Sequence, residues 1–300
     1  MKKILILTML CLGFVGFSAK SFAQSSTALA PFNDATHTYQ FKGITEGREF
    51  QFYLSPTINE LDPTNEVSDF GTFVTSATGS VDNTGIASVK IKWAPGASTI
   101  YGASGTNGVY LYVKIYETGT DPAELAICEN YKAVKVIPVA NAFNVTLADL
   151  NDPSCPELDP TKDFQPIVTV ASDPAQTNSG YNAGKSTIQF EVGRVNTSND
   201  WNFTFDLTTT NAGNFTYSVN GVNGTQASTL TGIDAGTINT DKVTIEIVLE
   251  NQQGQTPEFG ITIKSAKDLV TLAEAIAANL PGLDKHTVKE MPAIGDFFGI

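Results

Sequence analysis

Between Gly85 and Pro138 the chain alternates apolar and polar residues with a period of two, and no other feature narrows its fold as far. Val89, Ile91 and Trp93 alternate with Ser88, Lys90 and Lys92; Val109, Leu111, Val113 and Ile115 alternate with Tyr110, Tyr112, Lys114 and Tyr116. An extended chain with this pattern puts one side in a core and the other in water, as a half-buried antiparallel strand does. Tyr131-Lys-Ala-Val-Lys-Val-Ile-Pro138 adds a third such segment. Three in succession predict one sheet of a β-sandwich.

The same pattern recurs on both sides. Upstream, Tyr39 and Phe41, then Phe50, Phe52 and Leu54, fall on inward positions, with Gly43-Ile-Thr-Glu-Gly47 as a turn. Downstream, Ser186–Val192, Trp201–Leu207, Phe215–Val219, Val243–Leu249 and Phe259–Ile263 alternate, and so does Phe164–Val170. Asn-Gly and Gly-containing turns separate them at the spacing of a sandwich. Trp201 and Phe203 share a face and are read as core. Two departures stand out. Gln24–Pro31 is a small, polar lead-in without periodicity, read as mobile. Leu269, Leu272, Ile276 and Leu280 recur at helical spacing after a capping-box-like Ser265-Ala-Lys-Asp268, which predicts one short helix near 266–280 before His286–Met291 closes as a strand.

At 300 residues the chain exceeds one such sandwich, which takes about 100 residues. The reading is therefore all-β, with two tandem Ig-like or PKD-like β-sandwiches and the short C-terminal helix. Residues 1–23 read as a secretory signal, with Lys2-Lys3, an apolar run from Ile4 to Phe17 and Ser21-Phe22-Ala23 before the expected cut. Residues 24–148 form the first module. A connection rich in proline and acid follows at 149–163, and 164–300 form the second module. The apolar run is shorter than the 18 to 20 or so residues that span a bilayer, so no transmembrane segment is expected. Net charge is −13 and the pI is near 4.5, with no cluster of Lys or Arg. Nucleic acid is thereby excluded as a partner.

Val89-Lys-Ile-Lys-Trp93, Gly108-Val-Tyr-Leu-Tyr-Val113 running on to Tyr116-Glu-Thr118, Cys128 in the next hairpin and Val134-Lys-Val-Ile-Pro138 together resemble the PKD-like and Ig-like repeats of Bacteroidota surface proteins. Phe259-Gly-Ile-Thr-Ile-Lys264 and His286-Thr-Val-Lys-Glu-Met-Pro292 resemble the same proteins more loosely. The resemblance implies gliding motility or type IX secretion as the setting. It also implies adhesion at the cell surface, with an envelope or surface protein, such as a large repeat adhesin, as partner.

Chemistry-bearing residues are few. Cys128 and Cys155 remain after signal removal and, in an exported protein, read as a disulfide. In the chain-entropy model such a staple contributes about 3.5 kcal/mol. Asp149-Leu-Asn-Asp152 is similar to the start of the linkers that bind calcium between cadherin repeats, so Asp149, Asn151 and Asp152 are candidate calcium ligands, although Pro153 breaks the pattern. Apart from that calcium no cofactor is expected. The two histidines, His37 and His286, stand at opposite ends of the chain. Gly-x-Ser-x-Gly, His-Glu-x-x-His and phosphate-binding glycine loops are absent from the sequence. A glycosidase needs only two carboxylates, which leaves that class open. The expectation is a non-enzymatic structural or interaction protein, periplasmic or at the outer surface, with a glycan-binding module as the alternative. The candidate partner face is Tyr110, Tyr112, Lys114 and Tyr116, tyrosines beside lysine on the polar side of one strand.

Overall fold

The computed structural model describes residues 25–103, 108–117, 129–157, 168–169, 177–178, 184–225, 229–251 and 255–290. The expected signal peptide, 1–23, and Cys128 lie outside them.

The alternation builds two sandwiches. In the first, β1 (Thr36–Lys42), β3 (Gly71–Phe73) and β5 (Ile86–Trp93) form a three-stranded sheet of order β1-β5-β3. The facing sheet, of order β4-β2-β6-β7, is made by β2 (Glu49–Ser55), β4 (Thr78–Ser80), β6 (Val109–Tyr116) and β7 (Glu129–Val136). Ala87, Val89, Ile91 and Trp93 meet Phe52, Leu54, Val109, Leu111 and Val113 in one core. The second sandwich packs a five-stranded sheet, β14-β13-β16-β11-β8, on a four-stranded one, β15-β12-β17-β18. Its strands are β8 (Asn144–Asp149), β11 (Lys185–Val195), β12 (Trp201–Thr210), β13 (Phe215–Val219), β14 (Val222–Thr225), β15 (Thr229–Asp234), β16 (Lys242–Glu250), β17 (Glu258–Asp268) and β18 (Asp284–Thr287), with the small pair β9 (Val168–Thr169) and β10 (Thr177–Asn178) beside them in sequence. Trp201 and Phe203 are core residues, as the alternation predicts. No helix of the described residues is long and apolar enough to cross a membrane.

Three expectations change. The predicted helix near 266–280 does not form. Ser265–Asp268 extend β17 by pairing with Trp201–Thr204, past an irregularity in register, and only a single 3-10 turn, Ala277–Asn279, follows. A ladder along the whole of β12 outweighs a local capping signal, and Leu272, at φ 59°, sits in a conformation no helix contains. The only α-helix among the described residues is α1 (Ala97–Ala103), in the first module. The lead-in is built into the fold, with Ala28 packed on the first core and the Leu29 and Pro31 carbonyls accepting from the amides of Ile137 and Val139, and the residues after it are anchored too. Phe32 is 2 % exposed, packs into the second core with Ala35 and bridges to Val139. Finally, β8 pairs with β11, so the chain enters the second sandwich at Asn144, ahead of the acidic stretch that begins at 149.

The two sandwiches are joined by backbone as well as by these shared residues. The Thr36 amide donates to the Thr271 carbonyl at 2.5 Å, and the side chain of Asn141, between the two, donates to the Glu274 carbonyl.

Candidate functional site

The acidic connection holds a constellation that linear spacing conceals. Leaving β8, residues 149–154 cross from one edge of the five-stranded sheet to β18, the edge of the other sheet. Ser154 pairs there with the end of β18: its amide donates to the Thr287 carbonyl, and its own carbonyl accepts from Lys289. His286, on β18, is fully buried, with its ring edge-on to Phe190. Its Nδ1 lies 2.8 Å from Asp149 Oδ2 and 3.9 Å from Asp152 Oδ1, and its Nε2 lies 2.7 Å from Ser154 Oγ. Backbone amides orient both carboxylates, since Asn151 N–H donates to Asp149 and Thr287 N–H to Asp152.

Serine, histidine and aspartate in this order of hydrogen bonds are the parts of a nucleophilic site. The ring is sealed from solvent, and the backbone of Ser154 is spent on strand pairing, so the group clasps the two sheet edges together. Sequence reasoning missed it because His286 meets partners more than 130 positions away; the alternation that makes 286 a strand position is its only trace. Of the candidate calcium ligands, Asp149 and Asp152 converge on His286 while Asn151 turns away. The Asn151 side chain caps β11, donating to the Thr187 carbonyl and accepting from the Gln189 amide. Cys155 is exposed and unbridged, and Cys128, with which it is expected to pair, lies outside the described residues.

The candidate tyrosine face is in good part closed. Tyr112 is 3 % exposed and stacks on Tyr53 with centroids 5.0 Å apart. Its hydroxyl donates to the Thr57 carbonyl and accepts from the Glu60 amide, because the chain after β2 folds over the sheet. Lys114 is paired with Glu129 at 2.5 Å, between the rings of Tyr116 and Tyr131. The Glu129 carboxylate beside it holds the Lys114 ammonium above its ordinary pKa. Tyr110 is half-buried and tilted against Tyr112. Tyr112 is thus a fold residue, and Lys114 has its charge satisfied within its own sheet.

An opening does exist at the other margin of this sandwich. Edge strands β1 and β7 belong to facing sheets, and among the described residues each pairs with a strand on one side only. The lead-in fills one half of the gap between them: Ala28 packs on the first core and accepts from the Tyr39 hydroxyl, Leu29 and Pro31 accept from Ile137 and Val139, and Ser26 holds His37. Burial pushes the His37 pKa down, opposed in part by the charge of Asp268. The other half is a slot of about 300 Å³. Phe41, Ile44, Val113 and Ile115 supply its apolar wall; Lys42, Arg48 and Lys132 stand at its rim, and among the described residues no carboxylate lines it. Arg48 also pairs with Glu117, whereas Lys42 and Lys132 have no acidic partner among the described residues.

No family model matches the chain, and no curated protein matches it. Among solved structures it is similar to the CupB2 chaperone of Pseudomonas aeruginosa, with a TM-score of 0.26 and 9 % identity over 88 % of this chain and 97 % of that one. It is also similar to the secreted serine protease VesC from Vibrio cholerae, with a TM-score of 0.18 and 9 % identity, covering 75 % of this chain and 45 % of the protease. At such scores neither likeness carries an argument about function.

Proposed function

We propose that this chain is an exported, non-enzymatic interaction protein of the cell envelope or surface, an accessory of an adhesin or gliding system, that grips an extended acidic segment of a partner protein. The slot between β1 and β7 is the observation that carries this reading. A free strand edge offers a row of backbone donors and acceptors, and an extended peptide laid along β7 satisfies them. Alternate side chains of that peptide enter the apolar wall. Those between them meet Lys42 and Lys132, cations left over in a chain whose net charge is −13. Long-range attraction of this kind raises the rate of encounter and weakens with salt. The signal-like pattern of residues 1–23 and the resemblance of the first module to Bacteroidota surface repeats support an envelope or surface partner.

Synthetic ten-residue peptides alternating valine with glutamate, threonine or lysine test it by fluorescence anisotropy. The glutamate peptide is expected to bind best, to weaken as salt rises, and to lose at least tenfold in affinity to the variant carrying Lys42→Glu and Lys132→Glu. Equal binding of all three peptides, or undiminished binding to the variant, would refute the slot. Glycan-array binding that survives both substitutions, with no peptide binding at all, would favour a glycan-binding module instead.

A further inference from the structure

We propose that Asp149, Asp152 and His286 bind a divalent cation of the zinc class at the clasp of the second sandwich. Asp149 Oδ2, Asp152 Oδ1 and His286 Nδ1 all lie within 4.8 Å of one another. Tetrahedral zinc, bound at about 2.1 Å, sets its ligand atoms about 3.4 Å apart. The two separations at the ring, 2.8 and 3.9 Å, straddle that value, and the two carboxylates lie within 4.8 Å of each other, so small side-chain shifts bring the three atoms toward corners of a tetrahedron. Water takes the fourth.

Around these three atoms the surroundings are those of a metal ligand set. A histidine that binds metal through one ring nitrogen holds a hydrogen-bond partner on the other, which fixes its orientation. Ser154 Oγ stands in that place, 2.7 Å from Nε2. Its hydroxyl donates or accepts equally well, so the ring can take either tautomer. Without metal, Nδ1–H donates to Asp149 and Nε2 accepts from Ser154. With metal, the proton sits on Nε2 and the Nδ1 lone pair faces the cation between two carboxylates. The buried ring is fixed in place, whereas the side chain of Asp152 is 43 % exposed and opens the entry path.

The same geometry sets the class of cation. Calcium takes oxygen ligands, and the amide it was expected to use, Asn151, is committed to β11. An imidazole with two carboxylates suits zinc and its neighbours in the transition series. Asp149 and Asp152 come from the segment leaving one sheet and His286 from the edge of the other, so the cation would cross-link the sandwich.

Titration calorimetry and thermal melting of the untagged, metal-free mature chain with zinc or calcium chloride test the proposal. One equivalent of zinc is expected to bind and raise the melting temperature, with calcium ineffective. Asp152→Asn keeps an oxygen for the Thr287 amide and is expected to weaken zinc at least tenfold while the metal-free protein melts as wild type. Cys155→Ser, which removes the thiol next to Ser154, is expected to leave zinc binding unchanged. Absence of saturable zinc binding, full binding by Asp152→Asn, loss of binding in Cys155→Ser, or stabilisation by calcium instead of zinc would each overturn it.

Discussion

Replacing Asp268 by alanine removes a buried carboxylate that four donors share. Oδ1 accepts from the amides of Val270 and Thr271 at 2.9 and 2.8 Å; Oδ2 accepts from the Thr197 hydroxyl and the Asn199 amide group. Burial pushes its pKa up, but the hydrogen bonds from Thr197, Thr271, Asn199 and Val270 together outweigh burial and hold it below the ordinary 3.8. They also set the turn after β17, in which Asp268 donates to Ala273 and the Thr271 carbonyl receives Thr36 of the other sandwich. The Thr271 amide is buried and loses its only acceptor, which costs about 2 kcal/mol; the other three donors can reach water and cost about 0.5 kcal/mol each. Asp268→Ala is therefore expected to destabilise the second sandwich by about 3.5 kcal/mol at pH 7. Urea denaturation followed by fluorescence measures it, since Trp201 pairs directly with Asp268. Because the folded pKa lies below the unfolded one, this stabilisation is complete above pH 3.8 or so and is lost as the pH falls through the folded value. The gap between wild type and variant should therefore narrow in acid. Asp268→Asn keeps the acceptor for Val270 and Thr271 but turns an amide toward Asn199, and is expected to cost about half as much. It also removes the charge that raises the His37 pKa, so the imidazole should titrate at lower pH by NMR. A cost below about 1 kcal/mol for Asp268→Ala, a gap that widens in acid, or an unmoved His37 would refute the reasoning.

Two further substitutions probe the first sandwich. A Cβ on Gly71 would stand 2.8 Å from the backbone carbonyl oxygen of Lys92, so Gly71→Ala must push β3 off β5 and is expected to cost about 1–3 kcal/mol in urea denaturation. A value within 0.5 kcal/mol or so of wild type would show that the strands yield freely. Tyr39→Phe deprives the buried Trp93 indole N–H of its acceptor, 3.1 Å away, and frees Ala28 of the lead-in. It is expected to cost about 1–3 kcal/mol and to speed proteolysis before Phe32, and unchanged stability with unchanged cleavage would count against it.

Much of this architecture was legible in the sequence, because an inward face forces a period of two on residues such as Val89, Ile91 and Trp93, or Val109, Leu111 and Val113. What escaped was set by partners distant in the chain. Tyr112 alternates with Val113 and so points away from the core, yet the stretch from Thr57 to Glu60 folds over that outer face and buries it. Leu272 and Ile276 keep helical spacing, but a ladder founded on Trp201–Thr204 claims the residues before them, and both end partly exposed. Asp149 and Asp152 were legible as candidate ligands, whereas His286 was not, since its place beside them depends on how the two sheet edges meet.

How those edges meet also bears on why peptide binding is proposed for the first sandwich and not for the second. A sandwich has two margins where its sheets part, and each margin must be covered or stand open. In the second sandwich the margin between β8 and β18 is crossed by residues 149–154, and the buried His286 ties that crossing to Asp149 and Ser154. A peptide strand could not lie along that margin without undoing the clasp. In the first, the margin between β1 and β7 is covered by the lead-in only as far as Ala28 and Tyr39, and beyond that it continues as a slot with apolar walls and unpaired lysines. The lead-in shows what chemistry suits the gap: a bent segment that packs Ala28 on the core while its Leu29 and Pro31 carbonyls accept from the amides of Ile137 and Val139, which follow β7. A partner segment in the slot would lie beside that path with acidic residues at the rim, where none of the described residues lining the slot is acidic.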